Sequence, residues 1–203
     1  MTTDTVAALR AALARNIGGS SDFDLDPETV LPPGRTLRPA GVLVAVSLAE
    51  GDDLDRARLI LTKRSSALKH HPGQIAFAGG KVDPGDADAT AAALREAHEE
   101  IGLAPDRVEV LGHLPEHETV TGFRIRPVVG VVRGAFVPVA EPGEVAEVFE
   151  VPLTHVLDPS HYIVESRRWR GIRRYYFTVP YGPYYIWGAT ARMLRALAAG
   201  MGQ

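Results

Sequence analysis

Apolar residues first recur at helical spacing near the start of the chain. Val6, Leu9, Leu13 and Ile17 share one face and predict an amphipathic helix over 4–17, which Gly18-Gly19-Ser20-Ser21 ends. A polar, proline-bearing stretch that includes Pro32-Pro33-Gly34 follows to about Pro39. From Gly41 the pattern changes. The short apolar runs 42–46 and 59–61 predict strands joined by an acidic hairpin loop at Gly51-Asp52-Asp53. Residues 88–101 read as an Ala-rich helix, and 108–114 and 125–132 as further strands. A short strand is expected at 148–151, before Pro152, and a hairpin of 162–166 with 175–179 around Gly171. A closing helix near 184–199 places Ile186, Met193 and Leu197 on or near its buried side. Strands interrupted by substantial helices predict one α/β (or α+β) domain over 39–203. Residues 1–38 read as a helical extension lying on that body, too small to hold a core of its own.

Composition narrows the function classes. With 203 residues, 45% hydrophobic and 23% charged, the chain has the material for one globular core. A net charge of −3 supplies no bulk attraction for nucleic acid, so such a partner is not expected. The absence of cysteine excludes disulfides, thiolate catalysis and Cys-based zinc sites. No apolar run approaches the roughly 20 residues of a membrane span, and Met1-Thr2-Thr3-Asp4-Thr5 lacks the basic start and apolar core of a signal peptide. A cytoplasmic protein without a membrane partner is the expectation.

The chemistry concentrates in Arg95-Glu96-Ala97-His98-Glu99-Glu100-Ile101-Gly102-Leu103. At helical pitch Glu96, Glu99 and Glu100 fall within an arc of about 100°, opposite Thr90, Ala93, Leu94, Ala97 and Ile101. The apolar side is expected to fix the helix to a sheet, so that the carboxylates point outward as a unit, and Gly102 to stop the helix. Glutamate pairs on helices also occur as plain solvated faces. Three clustered carboxylates nevertheless repel one another, and a hard divalent cation relieves that repulsion. Oxygen-only ligation suits Mg²⁺ or Mn²⁺.

This segment resembles the Nudix box, a glycine followed by spacers and then Arg-Glu-apolar-x-Glu-Glu-x-Gly-apolar. Every fixed position from Arg95 to Leu103 agrees, and Gly79-Gly80 supplies the leading glycine. There are two departures. The interval from Gly80 to Arg95 is one residue longer than usual, and the intervening glutamate is absent, with Ala87 at its offset and Asp86 the nearest acid. The resemblance implies a Nudix α/β/α sandwich with a mixed central sheet and a metal-dependent pyrophosphohydrolase. Its metal would be held by Glu96, Glu99 and Glu100, and Arg95 would orient the glutamates. Glu99, Glu100 or Glu144 would take the proton, and Gly79 and Gly80 would let the loop turn tightly beneath them.

Immediately upstream, Ile60-Leu61-Thr62-Lys63-Arg64-Ser65 leads through Lys69 and Gly73 to Phe77-Ala78-Gly79-Gly80. This resembles the signature that accompanies the Nudix box in coenzyme A pyrophosphatases, with Lys69 in place of an arginine and Ala78 in place of a proline. The similarity continues through Thr119-Val120-Thr121-Gly122-Phe123, Pro127-Val128-Val129-Gly130, Glu144-Val145 and Tyr185-Ile186-Trp187-Gly188, and so spans roughly 40–200. It implies a small-molecule substrate, coenzyme A or its thioesters, with Arg64, Lys69, Phe77, Gly79 and Gly80 on the substrate side. Hydrolysis of NADH or ADP-ribose keeps the same metal site and stands as an alternative. So does a non-catalytic nucleotide- or RNA-binding module.

Three features stand outside these motifs. Glu144 and Glu147 follow a Pro-Gly loop, and Glu144 is the candidate extra acid. Arg167, Arg168, Arg170, Arg173 and Arg174 lie beside Trp169, Tyr175 and Tyr176 and could grip a nucleotide, point to solvent or meet acids of a dimer mate. His70-His71 is read as solvent-facing, and Tyr181-Gly182-Pro183-Tyr184-Tyr185 as core and turn.

Overall fold

The computed structural model describes residues 4–15, 17–26, 28–31, 34–48, 52–169 and 171–202. Pro32, Pro33, Gly51, Arg170 and the Trp169 side chain, all invoked above, lie outside what is described. In chain order the elements are α1 (Thr5–Leu13), β1 (Ser20–Ser21), β2 (Arg38–Leu48), β3 (Arg58–Arg64), β4 (Ile75–Ala76), β5 (Ala78–Lys81) and α2 (Ala89–Ile101). They continue with β6 (Val108–His113), β7 (His117–Glu118), β8 (Phe123–Arg133), β9 (Val145–Pro152), α3 (Leu153–Leu157), β10 (Ile163–Trp169), β11 (Ile172–Thr178) and α4 (Gly188–Met201).

The main sheet is mixed. β2 runs parallel to β8 along its whole length, from Arg38↔Phe123 to Leu48↔Arg133. On its other edge β2 pairs antiparallel with β5 through Ala40–Leu43, and with β3 at Val46↔Leu59. β9 and β4 extend the β3 side, and β6 and β7 the β8 side. Alternation along β2 decides what covers each face. Leu43 and Ala45 pack with Ala93, Ala97 and Ile101 of α2. Val44 and Val46 pack with Leu9 of α1, Val156 of α3 and Leu194 and Leu197 of α4. The sheet is thus covered on both faces, giving an α/β/α sandwich.

The first helix is shorter than its apolar period suggests. It starts at the Asp4 cap, which accepts from the Ala7 N–H, and ends at Leu13, although Ile17 still packs on the core. The last helix starts only at Gly188, because Tyr181 and Tyr184 pair with each other across a turn. The strand expected to be short, β9, runs eight residues because β3 supplies a full-length partner. No described helix is long and apolar enough to cross a membrane.

Candidate active site

Helix α2 is fixed at both ends by its own sequence. Asp88 accepts from the N–H groups of Thr90 and Ala91 at 2.8 and 2.9 Å. Gly102 takes the left-handed conformation (φ 72°), which lets the Leu103 N–H return to the Ala97 carbonyl at 3.2 Å. The orphan carbonyls of Glu100 and Ile101 accept from Glu141 and Val139 at 2.9 and 3.0 Å. That contact draws the 139–144 loop against the helix end. The Glu144 carbonyl then accepts from Ser65, just past the end of β3, at 2.8 Å.

The three glutamates do not point outward as a unit. Glu99 is exposed, Glu96 is partly covered, and Glu100 is buried at 4% exposure. The cause is β5, which runs beneath this face of α2. Glu100 accepts from the Gly79 N–H at 3.2 Å, and the Glu96 carboxylate occupies the space where a side chain on Gly80 would sit. Burial pushes the Glu100 carboxyl up to about 7, reinforced by the charges of Glu96 and Glu144 and opposed by the Gly79 N–H and Arg64. Burial also raises Glu96, with Glu99 and Glu144 adding to it and Arg95 opposing.

Arg95 organises the cluster. Its Nε and Nη2 grip both oxygens of Asp86 at 2.9 and 3.0 Å, Nη1 reaches Glu99 at 2.9 Å, and Nη2 lies 3.1 Å from Glu96. The acid that the sequence lacked at its usual offset is therefore present as Asp86. The signal was there, six positions after Gly80, but the extra residue falls between Asp86 and Arg95, so counting back from Arg95 lands on Ala87. Partners that orient metal-site groups typically matter by 10- to 100-fold. Asp86→Ala is accordingly expected to lower kcat by roughly that factor with the fold retained by circular dichroism. An unchanged kcat would show that Arg95 is positioned without it.

Arg64, at the end of β3, approaches Glu100 at 3.8 Å. Lys69, His70 and His71 are exposed on the 65–74 loop, which is closed by the Arg64 N–H to the Gln74 carbonyl at 2.9 Å. His71 adopts φ 55°, the one positive φ among described non-glycine residues. Phe77 is 4% exposed and belongs to the core that includes Leu61 and Ile75. Glu147, in β9, accepts from the Tyr184 hydroxyl at 2.5 Å, and the charge of Glu144 adds to the upward push on both Glu96 and Glu100. In the β10–β11 hairpin Arg167 faces Arg174 and Arg168 faces Arg173. Arg167 lies over the Trp187 ring and Arg174 over Phe23.

Among the described residues, no three carboxylate or imidazole groups converge closely enough to hold an ion as they stand. The immediate reason is Arg95, which takes oxygens of both Glu96 and Glu99. The donor chemistry nonetheless suits a hard divalent cation. It is oxygen only, and it carries more negative charge than Arg64 and Arg95 neutralise.

The NUDIX domain profile matches residues 37–171. The chain belongs to the Nudix family. As a Nudix hydrolase it acts on nucleoside diphosphate derivatives, and members of the family generally use divalent metal ions. The chain is 43% identical over 165 residues to "Uncharacterized Nudix hydrolase NudL" of Enterobacter sp. (strain 638), covering 81% of this chain and 83% of that one. It is 44% identical over 144 residues to the protein of the same name in Escherichia coli (strain K12), covering 71% and 75%. Among solved structures, the M. smegmatis Nudix hydrolase RenU gives a TM-score of 0.49 at 23% identity, covering 60% of this chain and 74% of that one.

Proposed function

We propose that this Nudix hydrolase cleaves the diphosphate of coenzyme A and its thioesters in the cytoplasm, giving 3′,5′-ADP and 4′-phosphopantetheine or its acyl form. The observation that carries the reading is the ordered motif from Ile60 to Gly80, whose Arg64 lies 3.8 Å from Glu100. A diphosphate substrate with a further phosphomonoester needs a metal for the bond being cut and side-chain cations for its remaining charge. Arg64 and Lys69 would supply them from the protein.

In this reading Glu96, Glu99 and Glu100 hold Mg²⁺ or Mn²⁺, which neutralises phosphate oxygens when bound. Arg95 and Asp86 would position the Glu96 and Glu99 carboxylates that would hold the ion. Water attacks one phosphorus in line, its oxygen forming the new P–O bond as the bridging oxygen leaves on the other phosphate. Glu99, Glu100 or Glu144 accepts the proton. Backbone groups of Gly79 and Gly80 line the floor, and buried Phe77 supports that floor from the core side.

The test is a substrate panel of coenzyme A, acetyl-coenzyme A, NADH and ADP-ribose with Mg²⁺ or Mn²⁺, products resolved chromatographically. Coenzyme A substrates are expected to be cut fastest. Lys69→Ala is expected to raise KM for coenzyme A severalfold with little change in kcat. Faster cleavage of NADH or ADP-ribose would overturn the substrate and keep the hydrolase.

A further inference from the structure

An open surface cleft of about 440 Å³ lies away from the glutamates, between the N-terminal turn, the Pro159–His161 turn, β11 and α4. That volume falls within the range of small-ligand sites. Leu25, Pro159, Phe177 and Ala199 supply an apolar wall. Its charged groups are Arg192 and Arg195, one turn apart on α4, and Asp24.

The two arginines differ in their partners. Arg192 is committed, with Nε and Nη2 both 2.7 Å from the Asp24 carboxylate. Arg195 lies over the rings of Phe177 and Tyr162, at 5.1 and 5.6 Å, and no carboxylate among the described residues lies within 4 Å of it. The Tyr162 hydroxyl donates to the Val156 carbonyl at 2.7 Å, which fixes the ring beneath Arg195. A guanidinium held by ring faces keeps its in-plane N–H fork available, and that fork matches the oxygens of a phosphate or carboxylate. The lining therefore has one guanidinium in excess, a second within reach, and an apolar wall beside them, in a chain whose net charge is −3.

We propose that this cleft is a binding site for an organic phosphomonoester, with the phosphate on the Arg195 fork and the organic body against Leu25, Pro159 and Phe177. The guanidinium of Arg195, in excess over the Arg192–Asp24 pair, favours an anionic group, and the apolar wall favours an organic ester over bare phosphate. Cleavage of a diphosphate releases phosphomonoesters, so the site takes the chemical class that the glutamate cluster produces. The binding itself does not rest on which diphosphate is cut.

The experiment titrates AMP into the full-length protein in EDTA and follows backbone amides by NMR. The expected shifts fall on residues 24–25 and 192–199. Arg195→Gln is expected to weaken binding by about tenfold or more, on the scale of one charge-assisted forked contact. Arg195→Lys should fall between, Glu100→Gln should bind as the parent does, and inorganic phosphate should bind more weakly than AMP. Turnover of Arg195→Gln is expected to be unchanged, which separates this outcome from the catalytic reading. Shifts confined to the glutamate cluster, no binding at millimolar AMP, or equal affinity in Arg195→Gln would each overturn the proposal. Should that variant fold poorly, the shift map of the parent protein decides alone.

Discussion

Glu100→Gln is expected to lose at least about two orders of magnitude in kcat and, in the same protein, to gain stability above pH 7. The first effect follows from placing this carboxylate among the groups that balance charge at the reacting diphosphate, where removing one electrostatic group typically has that size. Glu99→Gln is expected to lose a similar factor without the stability gain, because Glu99 is exposed. The gain at Glu100 follows from burial. Its carboxyl ionises near 7 in the folded chain against an ordinary value of 4.5. The folded state therefore binds the proton more tightly than the unfolded state does. The stability linked to that proton is fully present below pH 4.5 and is lost as pH rises through about 7. The difference corresponds to up to about 3 kcal/mol. A glutamine cannot ionise, so the variant escapes the loss. Urea denaturation in EDTA at pH 4.5 and pH 8 checks it. The stability gap between variant and parent should be small at the lower pH and largest at the higher. A gap that does not change with pH, or turnover near the parent level, would contradict the placement of Glu100.

The parts of this architecture that the chain announces are the periodic ones. Helix α2 shows its apolar stripe and its Gly102 stop in sequence order, and the structure keeps both and adds Asp88 as the cap at the residue where the sequence pattern began the helix. Strand β5 announces nothing, because Ala78-Gly79-Gly80-Lys81 has neither alternation nor β-branched residues. Its pairing with β2 is a long-range event, and it is what buries Glu100 and turns Glu96 inward. A helical wheel places the glutamates on one arc but cannot say that a glycine strand runs beneath it. β1, at two residues, is likewise too short to carry a pattern, yet it pairs with β7 and joins Ser20 to the buried His117 at 2.9 Å. The arginine hairpin shows a similar limit. Arg167 and Arg174 rest on Trp187 and Phe23, rings that lie respectively 20 positions downstream and 151 upstream, so no local reading assigns them.

Gly79→Ala and Gly80→Ala, adjacent and chemically identical changes, are expected to fail in different ways. A methyl group on Gly79 would meet the Gly41 carbonyl oxygen at 2.5 Å and the Val42 Cα at 2.6 Å, both backbone atoms of the paired strand β2. Gly79 also sits at φ 156°, a conformation that residues with a side chain rarely adopt. Neither obstacle can rotate away, so β5 must separate from β2, and with it goes the N–H that holds Glu100. The expected result is a loss of several kcal/mol, on the scale of overpacking combined with backbone strain, read as poor soluble yield or a sharply lowered Tm. At Gly80 the methyl group meets the carboxylate of Glu96, the far end of a flexible side chain. Glu96 can swing aside, so the fold should survive with Tm shifted by only a few degrees. What suffers is the site, because Glu96 leaves its place beside Arg95. Turnover of Gly80→Ala is expected to fall by about tenfold or more, on the scale of misplacing a catalytic-site group by an ångström. Raising Mg²⁺ or Mn²⁺ should recover part of it. Equal melting temperatures for the two variants would show that β5 is not clamped to β2 as described. Full activity in Gly80→Ala would remove Glu96 from the cluster.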